Sequence, residues 1–469
     1  MTGSPGGGQA MVSDASHRTA LRGPLLAVLC AITAIHLMLG LVDAANPDAW
    51  RSGDRAGARQ EKIVYLFEGH RPDLRFDHLR PMPPRASMLE RAILLGSPGD
   101  YALQAGLIRI GGKSLLIAVQ VLLTLASILA LHAVARALGF GARWALAGAG
   151  FYAMLPGNLL QPHVLGAEGL FIPLLPIAAW LLIRWRRSGS WQWLMYAAGT
   201  AALASFQRPQ ICAVIAILGL VALFLLERRS RPLLVAAIAV VLLPASGWTA
   251  LSMASTGKLS ATPTDADMGY HWRHRVRRMN AYIDPAQRYV PGSGESISAS
   301  LALPYIASHP VAYLRTALVD NVDYLLNPGS VHLVRYTGVL GELPDPQVFK
   351  RAKDEGPAAI LGALIDWNPG FTLAFVVHTA IWGLFLLLVA LGALHWLRAP
   401  PLGDPRVALL LAAYVFANLA VIQLAGHSRW SLRQPVEWAF VIAALTGLQA
   451  VLSRWRNRAP VPAAADATA

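Results

Sequence analysis

Acids and arginines alternate along the polar stretch 43–113, which separates two strongly apolar runs. It carries Asp43, Asp48, Arg51, Asp54, Arg55 and Arg59. Ser52-Gly53-Asp54-Arg55 lies near its start and Ser97-Pro98-Gly99-Asp100-Tyr101 near its end. A carboxylate at a membrane surface can take a proton from a hydroxyl or amine within hydrogen-bond reach. An arginine beside it can hold a departing phosphate as negative charge grows there. Successive membrane spans are commonly joined by a few residues, so a loop this long with acids behind the first apolar run points to a catalytic carboxylate. Asp54 is the first candidate for the base and Asp100 the rival. Asp48 and Asp43 remain, although Asp43, nearest the apolar run, equally suits capping it.

Cations that suit a phosphate lie elsewhere. The second polar stretch, 254–370, contains His271-Trp272-Arg273-His274-Arg275-Val276-Arg277-Arg278. Arg273, Arg275, Arg277 and Arg278 fit a bound phosphate, or anionic lipid headgroups without specificity. Arg208 precedes an apolar run from its N-terminal side, where a cation opposes the helix dipole, so a bound anion explains it better than capping. Glu168 opens another run, where the dipole favours an acid; the alternative is a site role, orienting an acceptor or an arginine. Arg433 and His427 precede the last apolar run. No Cys/His spacing suggests zinc and no glycine loop precedes a Lys-Ser/Thr, so neither a metal nor a cofactor is expected. Nucleotide sugars are unsupported for the same reason.

The elements that hold these residues are helices in a membrane. Of the 469 residues, 55% are hydrophobic and 14% charged, where a soluble domain has roughly 25% charged. Mean hydropathy is +0.46. Apolar runs near the roughly 20 residues that cross a bilayer recur throughout. We read an all-α polytopic membrane protein of about ten spans: 23–42, 114–138, 144–160, 170–183, 193–206, 211–226, 232–253, 371–397, 407–424 and 436–452. The first run exceeds the roughly 7–15 apolar residues of a signal peptide, so it reads as an uncleaved span. Residues 1–22 and 453–469 read as disordered tails, and 23–452 as one membrane domain. Arginine clusters at 18–22, 136–143, 184–187, 228–231, 398–406 and 454–458 fall on one side if the N-terminus is cytoplasmic. Both loops, 43–113 and 254–370, then fall outside, where short interfacial helices are expected at 300–326 and 357–367. The net charge of +14 follows from those clusters, so nucleic acid is not an expected partner. Cys30 and Cys212 lie in apolar runs and read as packing residues without a disulfide. His132 and His378 are read as the ionisable groups deep in spans, which argues against coupled transport, where acids or broken helices sit near the midplane.

These motifs in this order resemble the C-type (GT-C) integral membrane glycosyltransferases. The likeness is to the dolichyl-phosphate-mannose protein mannosyltransferases and the bacterial lipid A aminoarabinose transferases. Ser52-Gly53-Asp54 stands where that family has its first acidic motif. Pro98-Gly99-Asp100-Tyr101-Ala102-Leu103, then Gly112 and Gln120, look like its turn into the second span. Tyr152 to Pro156, with Glu168, is similar to its third-to-fourth turn, and Arg208-Pro209 to its fifth-to-sixth. Ser308-His309-Pro310 and Arg433-Gln434-Pro435 resemble later family segments, and the resemblance implies that Arg433 is a ligand of the donor phosphate. The Tyr usual soon after the first acid is missing, and so is a large soluble C-terminal domain. The resemblance implies transfer of a sugar from a polyprenyl-phosphate donor to a glycan, lipid or protein acceptor, at the periplasmic face of a bacterial inner membrane. A polymerase or ligase of lipid-linked glycans is the nearest alternative, and a lipid-glycan transporter the next.

Overall fold

The computed structural model describes residues 22–45, 87–88, 91, 98–208, 210–225, 228–256, 265–290, 297, 299–326, 329, 333, 336–337, 357–401, 404–424 and 433–458. Among these there is no strand. The helices are α1 (Arg22–Ala45), α2 (Pro98–Ala137), α3 (Ala142–Ala153), α4 (Pro156–Leu160), α5 (Glu168–Phe171), α6 (Leu174–Ser188), α7 (Trp191–Gln207), α8 (Gln210–Leu225) and α9 (Arg231–Thr256). After them come α10 (Asp265–Met279), α11 (Ala299–Ser308), α12 (Pro310–Leu326), α13 (Pro357–Trp367), α14 (Pro369–Trp396), α15 (Pro405–Leu424) and α16 (Gln434–Arg458). Asp54 and Asp48 lie outside the described residues, as do His427 and both expected tails except residue 22 and residues 453–458.

Their ends follow from local sequence. Proline opens several helices, where its missing N–H costs nothing; Asn368 adds a side-chain cap, accepting from the Phe371 N–H at 2.9 Å before Pro369. Helix α6 stops at Gly189, whose φ of 68° is the left-handed conformation that closes helix C-termini. Arg186 and Arg187 occupy its last turn, where cations complement the dipole.

Six helical stretches among the described residues are long and apolar enough to cross a membrane: Gly23–Ala45, Ala102–Ala137, Glu168–Ser188, Arg231–Trp248, Pro369–Trp396 and Gln434–Trp455. Ile211–Leu225 and Pro405–Val421 are shorter apolar helices. The chain is thus an all-α, multi-pass membrane protein. Helices α3 and α7 coincide with two further expected spans. Two boundaries differ from the sequence expectation. Helix α2 begins at Pro98, so 98–113 is helical instead of loop, with a kink at Gly111 and Gly112, the latter at φ 68°. The run expected to continue through 160 instead breaks after Ala153. Pro156 cannot extend a helix whose carbonyls it would block, and the chain folds into α4 and a 3-10 turn, Gln161–His163. Most of 155–167 is buried. Irregular backbone of this kind is tolerated in a membrane bundle when protein surrounds it.

The tightest crossing joins α14 to α16. A Cβ on Gly392 would overlap the Ala443 carbonyl oxygen, and one on Gly447 the Leu388 carbonyl oxygen. Small residues at such crossings let backbones approach, which drives association where water gives no help. Helix α3 packs on another face of α16, with Gly148 against Leu445 and Val441, around a core that includes Ile128, Leu131, Tyr152, Trp382 and Ile442. Large apolar side chains such as Leu37, Leu41, Phe224 and Leu243 are exposed instead, as expected of surfaces that face lipid. Helices α10, α11 and α12 form a smaller unit of their own around Val276, Ile297 and Ala302, and Met279, Ile283 and Ala312.

Candidate functional site

Helices α1, α2, α3, α7 and α16 each place an end beside the buried stretch 155–168, and the polar side chains gather there. Glu168, in the first turn of α5, forms an ion pair with Arg208, which caps α7. The anion that Arg208's position calls for is therefore at least partly the protein's own carboxylate. The guanidinium also lies 5.8 Å from the Phe171 ring centroid. Each side chain keeps some exposure, 13% for Glu168 and 23% for Arg208, so the pair is open to a ligand on one side. Asp100 stands in the first turn of α2, where the dipole favours a carboxylate; its side chain lies outside the described residues.

A second constellation joins α1 to the kink of α2. Asp43, buried at the end of α1, accepts a hydrogen bond from Lys113 Nζ at 2.8 Å. The glycine kink puts Lys113 there: an unbroken helix through 111–112 would carry it elsewhere. The Tyr336 hydroxyl faces Asp43, and burial together with that negative charge raises the phenol's pKa above its ordinary value. His163 stacks on His36, ring centroids 5.3 Å apart, with Nε2 of the first 3.0 Å from Nδ1 of the second. Burial, and then His36 and Lys113 nearby, pushes His163 down to about 3, so it is neutral at physiological pH and one ring donates to the other.

The arginines divide. Arg433 is fully buried; its Nε donates to Glu437 at 3.0 Å, one Nη to the Leu325 carbonyl at 3.1 Å, and its plane lies 4.2 Å from the Trp382 ring centroid. Trp382 Nε1 donates to the same Leu325 carbonyl at 2.7 Å. Arg433 thus fastens α12 to α14 and α16. Arg275 is also buried, paired with Asp320 at 2.6 Å, while Arg278 reaches the other Asp320 oxygen at 2.5 Å. Burial lowers the Arg275 pKa against the opposing pull of Asp320. Arg277 is exposed and Arg273 half-buried. One helix, α10, therefore turns its arginines to different faces instead of presenting a single patch.

The structure brings together Glu168 and Arg208. It places Arg275 and Arg278 on Asp320 of α12, and Arg433 inside the bundle. Sequence reading missed Asp43–Lys113, His36–His163, Asp320 and Tyr336 as partners. His36 lies within the first span and belongs beside His132 and His378 as an ionisable group in a span. Only Arg433–Glu437, four residues apart on one helix face, left a local signal.

A small recess, no larger than a water-sized group, is lined by Thr124, Asn158, Gln161 and Glu168 among others. Among the described residues no cluster of His, Cys, Asp or Glu could hold a metal ion.

Residues 97–248 match the family model described as Dolichyl-phosphate-mannose-protein mannosyltransferase. No curated protein matches the chain. Among solved structures, it is similar to the archaeal oligosaccharyltransferase AglB from Archaeoglobus fulgidus in complex with an inhibitory peptide and a dolichol-phosphate. The TM-score is 0.45 at 14% identity, over 92% of this chain and 51% of that one. The oligosaccharyltransferase of the same organism tethered to an acceptor peptide gives a TM-score of 0.43 at 13% identity, over 92% and 50%. The chain thus spans about half the length of these structures. Over residues 97–248, about a third of its length and the segment that holds Asp100, Glu168 and Arg208, the chain carries the signature of the dolichyl-phosphate-mannose-protein mannosyltransferases, and the GT-C resemblance read from its motifs stands.

Proposed function

We propose that the chain is a glycosyltransferase that moves a sugar from a polyprenyl-phosphate donor to an acceptor at the periplasmic face of a bacterial inner membrane. The observation that carries this reading is the family match across 97–248, because that segment contains the Glu168–Arg208 pair at the loop end of the bundle. Asp54 takes the acceptor hydroxyl proton as the acceptor oxygen attacks the anomeric carbon. The bond from that carbon to the phosphate oxygen breaks, and polyprenyl phosphate departs with the electron pair. A single displacement inverts the anomeric centre.

Partly exposed cations, Arg208 and the outer members of the α10 cluster, Arg273 and Arg277, suit the departing phosphate. Arg275, Arg278 and Arg433 support the site at one remove, by holding the helices that carry it. Asp43 is the second reading for the base, since it is a buried carboxylate of the same loop with Lys113 and Tyr336 against it.

The test is transfer by purified protein from a synthetic polyprenyl-monophosphate hexose, beside a diphosphate-linked oligosaccharide donor. Asp54→Asn is expected to lower kcat at least a thousandfold while donor binding persists, and Asp43→Asn to lower it less. Full turnover in Asp54→Asn with loss in Asp43→Asn moves the base to Asp43. Use of only the diphosphate donor makes the protein a polymerase or ligase of lipid-linked glycans instead.

A further inference from the structure

Helix α12 is inside out for a helix in water. Its buried side carries Ala312, Thr316 and Asp320, the last two 1% exposed. Asp320 is held there by Arg275 and Arg278. Its outward side carries Val311, Leu314, Leu318 and Val319, with Leu314 and Leu318 65% and 66% exposed. Positions 311, 314, 315 and 318 share one face at helical spacing. Leu301 and Leu303 of the preceding α11 are exposed as well. A helix on a water-facing unit turns its apolar stripe to the core and its charges outward, so this face is built for another surrounding.

The height of the face relative to the membrane follows from one anchor. The Leu325 carbonyl, near the end of α12, accepts from Trp382 Nε1 at 2.7 Å and from an Arg433 Nη at 3.1 Å. Trp382 stands midway along the 28-residue span Pro369–Trp396. A helix rises about 1.5 Å per residue, so the anchor lies ~20 Å inside either end of that span. By the same rise, Leu318 is about 10 Å and Leu314 about 16 Å along α12 from Leu325. Whatever the tilt of α12, both leucines fall within the length of the span. A span that long reaches through the hydrocarbon core and the headgroups, about 40–45 Å together, so lipid is what meets the face. Arg315 is exposed between the two leucines. None of the ion pairs among the described residues includes it. An arginine so placed buries its stem along apolar surface and carries its charge out to the headgroups.

We propose that α12 lies in the membrane interface. Val311, Leu314 and Leu318 enter the acyl region of the leaflet, and Arg315 pairs with a lipid phosphate. The partner of this surface is a phospholipid leaflet, and the α10–α12 unit is held at headgroup height by it. The inference does not rest on the transferase reading.

The experiment is nitroxide accessibility in the full chain without Cys30 and Cys212, reconstituted in vesicles of phosphatidylethanolamine and phosphatidylglycerol. Labels are placed on Leu314→Cys and Leu318→Cys. A label on Leu384→Cys, exposed on the span α14, sets the lipid limit, and one on Gln287→Cys, exposed in the polar turn after α10, sets the water limit. Oxygen collects among acyl chains and a nickel chelate stays in water, so the ratio of their collision rates reads depth. At both leucines the ratio is expected to exceed the Gln287 value at least tenfold and to approach the Leu384 value. Arg315→Glu is expected to lower the Leu318 ratio at least threefold, and Arg315→Lys, which keeps the charge, to preserve it. Ratios at both leucines equal to that at Gln287 overturn the proposal and leave the face in water. Few collisions with either reagent, with spin–spin broadening that disappears on mixing with unlabelled protein, overturn it in favour of a second copy of the chain. An unchanged ratio in Arg315→Glu overturns the phosphate pairing. The readout needs no turnover, so a protein that transfers no sugar still decides it.

Discussion

His163 shows how one buried side chain converts structure into a pH dependence. Its folded pKa is about 3, against an ordinary value of 6.5. Between those limits the unfolded chain binds a proton that the native one does not, so stability rises with pH there. The stabilisation is whole above pH 6.5 and is lost as pH falls toward 3, by up to about 1.4 kcal/mol per pH unit. Lys113, His36 and Tyr336 are the groups against the ring, and the Lys113 charge works in the same direction. Replacing His163 with Asn keeps a hydrogen-bonding group without the titration. The drop in melting temperature between pH 7.5 and pH 5 is then expected to shrink by at least half. The same stacked pair was beyond sequence reading. His36 and His163 stand 127 positions apart, and each alone reads as an ordinary interfacial or core histidine.

Helices are joined here by a few contacts that admit no substitute. At the α14–α16 crossing, Gly392→Val forces a side chain into the Ala443 carbonyl and separates the two backbones. Overpacking of a core costs typically about 1–3 kcal/mol, and no flexible neighbour can move aside here, so the loss is expected at the upper end. Unfolding in detergent measured by Trp fluorescence checks it. In the α10–α12 unit, Asp320 holds both Arg275 and Arg278. Removing one partner of a buried pair leaves a charge uncompensated, at a cost of about 3–5 kcal/mol. Asp320→Ala is expected to loosen α10, so that limited proteolysis within α10 proceeds faster than in the wild type. Sequence reading saw the arginines of 273–278 as one basic surface, since nothing local to them marks Asp320, forty-five residues on, as their acid.

At the scale of the whole molecule, the alternation of long helices and short turns is what carries orientation. We expect the arginine-bearing turns, at 136–143, 184–187 and 398–406, on the cytoplasmic side, and the α10–α12 unit outside. Ser188 and Asp284 are exposed positions expected on the two sides. In a background without Cys30 and Cys212, Asp284→Cys is expected to react with a membrane-impermeant maleimide in intact cells, and Ser188→Cys only after permeabilisation. The reverse pattern would place the proposed site in the cytoplasm and remove the periplasmic reading.

Composition and apolar run length by themselves determined an all-α membrane protein, because only a helix satisfies its backbone within one segment in lipid. Proline and glycine positions gave most helix ends, and the order of motifs gave the family likeness that the match over 97–248 bears out. The tertiary structure alone decided which charges are spent inside the protein. Arg433 and Arg275 carry the same residue type as Arg208 and Arg277, and sequence treats the four alike. Burial separates them, since a charge removed from water must find a partner: Glu437 and Leu325 for one, Asp320 for the other. The carboxamides of Gln120 and Gln434 are the converse case. Nothing in their neighbours distinguishes them, and only the folding of 155–168 back between the helices leaves them buried and unpaired.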